Sequence, residues 1–148
     1  MRTIICLVVT WVILLISPVF AATMQSIGKD WVNVRSKPDM NSEVIFELFC
    51  GYPIKIEKRQ NKWVYFTDWK NQAGWVYKPL VSKTQTAVIL VDNANIRKGP
   101  TLSTPIVMKA SQGNIYKIFG EKGDWVHVGY YLENEKIGWI RNDLVWGE

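Results

Sequence analysis

Val32-Asn33-Val34-Arg35-Ser36-Lys37-Pro38 returns 62 residues later as Ala94-Asn95-Ile96-Arg97-Lys98-Gly99-Pro100, and the rest of the chain is organised around that return. The same offset aligns Gly51 with Gly113 and Trp63-Val64 with Trp125-Val126. It then lengthens to 64, aligning Gly74-Trp75-Val76 with Gly138-Trp139-Ile140 and Leu80-Val81 with Leu144-Val145. A unit of about 60 residues therefore occurs twice, the second copy carrying two extra residues between its Trp-Val and Gly-Trp pairs.

Within each copy the apolar pattern is that of short strands between turns. Ile54-Lys55-Ile56-Glu57-Lys58 alternates with period two after Gly51-Tyr52-Pro53, and Asn61-Lys62 turns the chain into Trp63-Val64-Tyr65-Phe66. The polar stretch 67–73 makes a hairpin into Gly74-Trp75-Val76-Tyr77. Copy two repeats this through Ile115–Phe119, Trp125–Val128 and Ile137–Arg141. No window of useful length has helical spacing, so the fold class is all-β. The boundaries predicted are 24–83 for the first unit and 84–148 for the second, joined by the short linker Lys83-Thr84-Gln85-Thr86.

Outside the repeats, Arg2, the apolar run Ile4–Ile16, the Ser17-Pro18 break and Val19-Phe20-Ala21 read as a signal peptide over 1–21, cleaved after Ala21. The alternative is an uncleaved anchor, just long enough to span a bilayer. No second apolar stretch of spanning length follows, so the mature chain is expected to be exported, periplasmic or extracellular, without a membrane span.

The 148 residues contain one histidine, His127, and two cysteines, Cys6 and Cys50. That excludes zinc frameworks built on several Cys and His, and internal disulfide stapling of the mature chain. Cys50, flanked by Phe49 and Gly51, reads as a buried structural thiol. There is no nucleophile–base pair, no carboxylate cluster and no metal spacing, so neither catalysis, a metal nor a cofactor is expected. Charge is uneven: residues 24–83 carry ten Lys/Arg against six Asp/Glu, and 84–148 carry seven of each. Export argues against nucleic acid as the partner; basic charge also suits an anionic envelope.

The order Asn-Val-Arg-Ser-x-Pro, Val-Ile-x-x-Leu, a Gly-led alternating strand, Trp-Val and Gly-Trp-Val-x-x-x-Leu-Val resembles the bacterial SH3-like domain, in tandem, over nearly all of 24–148. The close Leu144-Val145-Trp146-Gly147 resembles an exported two-domain branch of it. The resemblance implies two small five-stranded, partly open barrels and a binding role, with cell-wall peptides as the targets of its better understood members. Lys37, where the pattern has a glycine like Gly99, and Phe49-Cys50, where polar residues are common, depart from it.

Strand alternation suggests where a ligand would sit. Val64, Phe66 and Val76 share the inner face, which sends Trp63, Tyr65, Trp75 and Tyr77 outward as a partly exposed platform. Copy two keeps Trp125 and Trp139 but has His127 and Arg141 in place of the tyrosines, a more polar platform able to engage an anion. In the resemblance, the Trp of Trp-Val and the ring after Gly correspond to an aromatic peptide groove. The alternative is that these indoles cap the barrels or join the two copies. Trp69, in the polar hairpin, is the best single candidate for an exposed contact. Arg35 and Arg97 suit either a carboxylate ligand or, preferably, hydrogen bonds to their own loop carbonyls. The function expected is a non-catalytic exported module recognising peptidoglycan or envelope peptides. The alternative is an adaptor that binds another folded envelope protein through exposed aromatics.

Overall fold

The computed structural model describes residues 22–148; the leader expected over 1–21 lies outside the described residues. Fourteen strands form two antiparallel sheets, with no α-helix among the described residues. The first sheet contains β1 (Thr23–Ile27), β2 (Val32–Arg35), β3 (Val44–Leu48), β4 (Pro53–Gln60), β5 (Trp63–Thr67), β6 (Ala73–Tyr77) and β7 (Val81–Ser82), in the order β3-β2-β6-β5-β4-β1-β7. The second contains β8 (Thr86–Ile89), β9 (Ala94–Arg97), β10 (Ile106–Ala110), β11 (Ile115–Lys122), β12 (Trp125–Gly129), β13 (Lys136–Arg141) and β14 (Val145–Trp146), in the equivalent order β10-β9-β13-β12-β11-β8-β14.

Each sheet thus has seven strands where five were expected. The additions are the opening strand of each unit and a two-residue strand that closes it, pairing Ser26 with Ser82 and Val145 with Ile89. Ala87, Val88 and Ile89, fully buried, belong to β8 inside the second sheet.

A flat seven-stranded sheet would hold its edges about 29 Å apart at the usual strand spacing. Here residues from every strand of the first sheet meet in one cluster: Ile27, Val34, Leu48, Ile54, Ile56, Val64, Phe66 and Val76, with Val81 packed against it. The sheet must therefore curl around its own apolar face. Register shifts at matching places help it turn, between Ile56 and Lys58 and between Ile118 and Gly120. The Gly-Trp motif has a packing cause: a Cβ on Gly74 would lie 2.4 Å from a Val34 methyl, and one on Gly138 would lie 2.4 Å from the Arg97 carbonyl. Only glycine lets the β2/β6 and β9/β13 strands approach this closely.

The two halves touch. The Thr86 hydroxyl, buried, donates to the Gly51 carbonyl at 2.6 Å, and the Ser26 hydroxyl donates to the Thr84 carbonyl at 2.7 Å. Tyr131 from the lengthened hairpin of copy two lies over Gly51, its ring 3.5 Å from where a Cβ would stand.

Candidate functional site

Trp63 and Tyr77 lie opposite each other on β5 and β6, their rings 5.6 Å apart and edge-on. With Trp31, Asn33, Arg35, Met40 and Leu80 they line a groove of about 110 Å³. Moving each of these seven residues by the repeat offset gives Asn93, Asn95, Arg97, Leu102, Trp125, Arg141 and Leu144. All seven line the corresponding groove of copy two, about 220 Å³, together with Val91 and Ala94. The fold therefore builds the same concave surface twice.

Trp63 does not stand at the rim as expected. It points outward by alternation yet is only 8% exposed, with Tyr77 edge-on against it and Met40 and Leu80 lining the same groove. Its counterpart Trp125 is half-buried in a groove twice as large. Tyr77 is half-buried at the mouth. The remaining rings form a second row on the same outer face. Tyr65 faces Trp75 with centroids 5.3 Å apart, and His127 stacks almost parallel on Trp139 at 4.4 Å. Burial, and then the Lys136 ammonium, hold the His127 imidazole below its ordinary pKa, so at neutral pH it is an uncharged ring.

Trp69 is set apart in the β5–β6 hairpin and is half-buried rather than exposed. Its indole N–H is buried without a hydrogen-bond partner among the described residues, and Lys70 lies over its ring at 5.0 Å. The hairpin is organised by buried Asp68, which accepts from the Tyr52 hydroxyl and from the backbone N–H groups of Lys70 and Gln72. Burial and this carboxylate push the Tyr52 phenol well above its ordinary pKa.

The two arginines at matching places in the repeats serve their own loops: Arg35 donates to the Ser42 carbonyl at 2.7 Å and Arg97 to the Thr104 carbonyl at 2.8 Å. Arg141 forms a bidentate pair with Asp143 at 2.9 and 3.0 Å, so its charge at the copy-two groove is largely met from within.

One residue escaped the sequence reading. Trp31 is 67% exposed and holds a left-handed backbone with φ 59°, packing edge-on against exposed Phe49 at 4.8 Å. Its twin, Asn93, has φ 56°. An indole where the other copy has a turn-forming asparagine was the signal available in the sequence. Cys50 is half-exposed and lines a cleft between the halves, not buried as expected.

Residues 28–83 and residues 92–145 each match the bacterial SH3 domain. The chain belongs to the bacterial SH3 domain family, as a tandem pair. Among curated relatives of these bacterial SH3 domains, YrvJ of Bacillus subtilis, named as an N-acetylmuramoyl-L-alanine amidase, is 24% identical over 141 residues, covering 84% of this chain and 27% of that protein. LytH of Staphylococcus aureus, named as a cell wall amidase, is 36% identical over 53 residues, covering 36% of this chain and 18% of that protein. The chain thus spans between 18% and 27% of the length of these relatives. Among solved structures, NlpC2 of Trichomonas vaginalis superposes with a TM-score of 0.39 at 18% identity, over 86% of this chain and 49% of that one.

Proposed function

We propose that this tandem pair is a non-catalytic exported module whose two grooves recognise peptide portions of peptidoglycan. The observation that carries the reading is the duplication of the groove, lining residue for lining residue. A feature needed only for packing would recur inside the core; this one recurs as a concavity open to solvent. Rigid rings at its walls bury area while losing little rotamer entropy, which suits an extended peptide. The amidase names of the relatives point to the cell wall as the place where such a peptide is found.

Each groove is smaller than a drug-sized pocket and would hold about one side chain, so affinity for a single peptide should be weak. Two grooves on one body suit a polymer that repeats its epitope.

Co-sedimentation with purified peptidoglycan sacculi tests this. The wild-type chain should pellet with sacculi. The double variant Trp31→Asn, Leu102→Asn removes an exposed rim side chain from each groove and should weaken binding by about a hundredfold or more. Unchanged binding by the variant would remove the grooves from the account. A second reading, an adaptor for a folded envelope protein, is favoured by exposed Val44 and Ile45 on edge strand β3 and their twins Ile106 and Val107 on edge strand β10. Absence of sacculus binding by the wild type would favour the adaptor.

A further inference from the structure

A concavity larger than either groove lies elsewhere. It is a cleft of about 540 Å³ between the halves, within the usual range for a small-ligand site. Lys29, Asp30 and Cys50 line it from copy one; Tyr131, Leu132 and Glu133 line it from copy two. The copy-two wall is the hairpin that carries the two residues copy one lacks. The insertion therefore does something specific: it reaches across to the other half, lays Tyr131 on Gly51 and leaves Leu132 81% exposed. An apolar side chain held that far into water contributes nothing to its own unit's core.

The charges in the cleft are unspent. Neither Lys29 nor Glu133 forms an ion pair among the described residues. Asp30 uses one carboxylate oxygen, Oδ1, to accept the Cys50 backbone N–H at 3.0 Å, and its other oxygen has no such bond among the described residues. One lysine and two acidic residues thus line the same space as Tyr131 and Leu132. The Trp31–Phe49 pair stands beside the cleft, since Trp31 follows Asp30 and Phe49 precedes Cys50. Trp31 also lines the copy-one groove.

We propose that this interdomain cleft is a second binding site, for a zwitterionic peptide end whose ammonium meets Asp30 and Glu133 and whose carboxylate meets Lys29, with its aliphatic part against Tyr131 and Leu132. It rests on the cell-wall reading only for where such a peptide comes from. A stem peptide ending in a diamino acid carries both charges on one residue.

Cys50 supplies the readout. Its alkylation by N-ethylmaleimide in the full chain is followed by mass spectrometry of the peptide that contains it. The probes are a synthetic stem tripeptide ending in lysine and the same peptide with its side-chain amine acetylated and its carboxylate amidated. The charged peptide should slow alkylation about tenfold at saturation and the blocked one should not. In the double variant Lys29→Gln, Glu133→Gln the concentration giving half-protection should rise about tenfold, equivalent to 1.4 kcal/mol. Equal protection by both peptides, or by neither, overturns the proposal. So does protection that grows with protein concentration when no peptide is present, which would make the occupant a second copy of this chain. Sacculus binding with no protection of Cys50 would leave the grooves standing and remove the cleft. Protection without sacculus binding would do the reverse.

Discussion

At the scale of single residues, Trp31 carries the sharpest test. A left-handed backbone costs a bulky residue on the order of 1–2 kcal/mol, and asparagine holds it more cheaply. Against that, Trp31 gains an edge-on contact with Phe49, worth about 1 kcal/mol. These terms nearly cancel, so Trp31→Asn should leave stability within about 1 kcal/mol of wild type, read from urea unfolding. Trp63→Ala is a poor probe by comparison, because truncating so buried an indole should cost about 3–5 kcal/mol of fold stability. A large loss for Trp31→Asn would make Trp31 a structural residue and take away the reason to regard it as a contact. His127 gives a second test at this scale. A base whose folded pKa lies below its unfolded one binds fewer protons when folded. Its contribution is therefore complete above the unfolded value, about 6.5, and declines as pH falls through that region. The ring is only half-buried, so the effect should be small. His127→Tyr, the choice copy one makes at Tyr65, should flatten the fall in Tm between about pH 7.5 and 5. Parallel Tm curves for the two proteins would contradict it. At this scale the sequence was least informative about Trp63: alternation shows which way its ring points, but not that Met40 and Leu80, from distant segments, line the same groove.

At the scale of elements, the two copies explain one another's departures. A Cβ on Gly99 would sit 3.0 Å from the Thr104 Cγ2 methyl, whose hydroxyl donates to the Gly99 carbonyl at 2.8 Å. Copy one has Lys37 there, and its partner is Ser42, which makes the same bond at 2.9 Å and has no methyl. The lysine at this turn is therefore accommodated by the loss of one carbon. Gly99→Ala should bring little or no gain in wild type but should add about 0.5 kcal/mol in a Thr104→Ser background, by restricting the unfolded chain without the clash. A double-mutant cycle by chemical unfolding checks the coupling; additive effects would refute it. The strands with clean alternation, β4, β5, β6 and their twins, were legible because one face is packed and the other wet. Strand β1 was not, since Thr23–Ile27 is half polar and is held by pairing with β4 and β7 rather than by a pattern of its own.

At the scale of the whole molecule, duplication and the contacts between the halves determine what can be measured. With the grooves acting together on a repeating polymer, losing either should weaken sacculus binding far more than it weakens binding of a monomeric stem peptide, on the order of a hundredfold against tenfold or less. Similar losses for both ligands would mean that the grooves work alone. The existence of two equivalent concave surfaces followed from the repeat. The cleft between them did not, because it depends on where the extra residues of one hairpin land on the other copy, which no local pattern encodes. The most direct test of the central claim is a titration of ¹⁵N-labelled chain with soluble stem peptides, watching the resolved indole N–H signals. Trp31, Trp63 and Trp125, the three indoles that line the grooves, should shift together and saturate, while Trp146 stays in place. Shifts confined to indoles outside the grooves, or none at all at millimolar peptide, would contradict it.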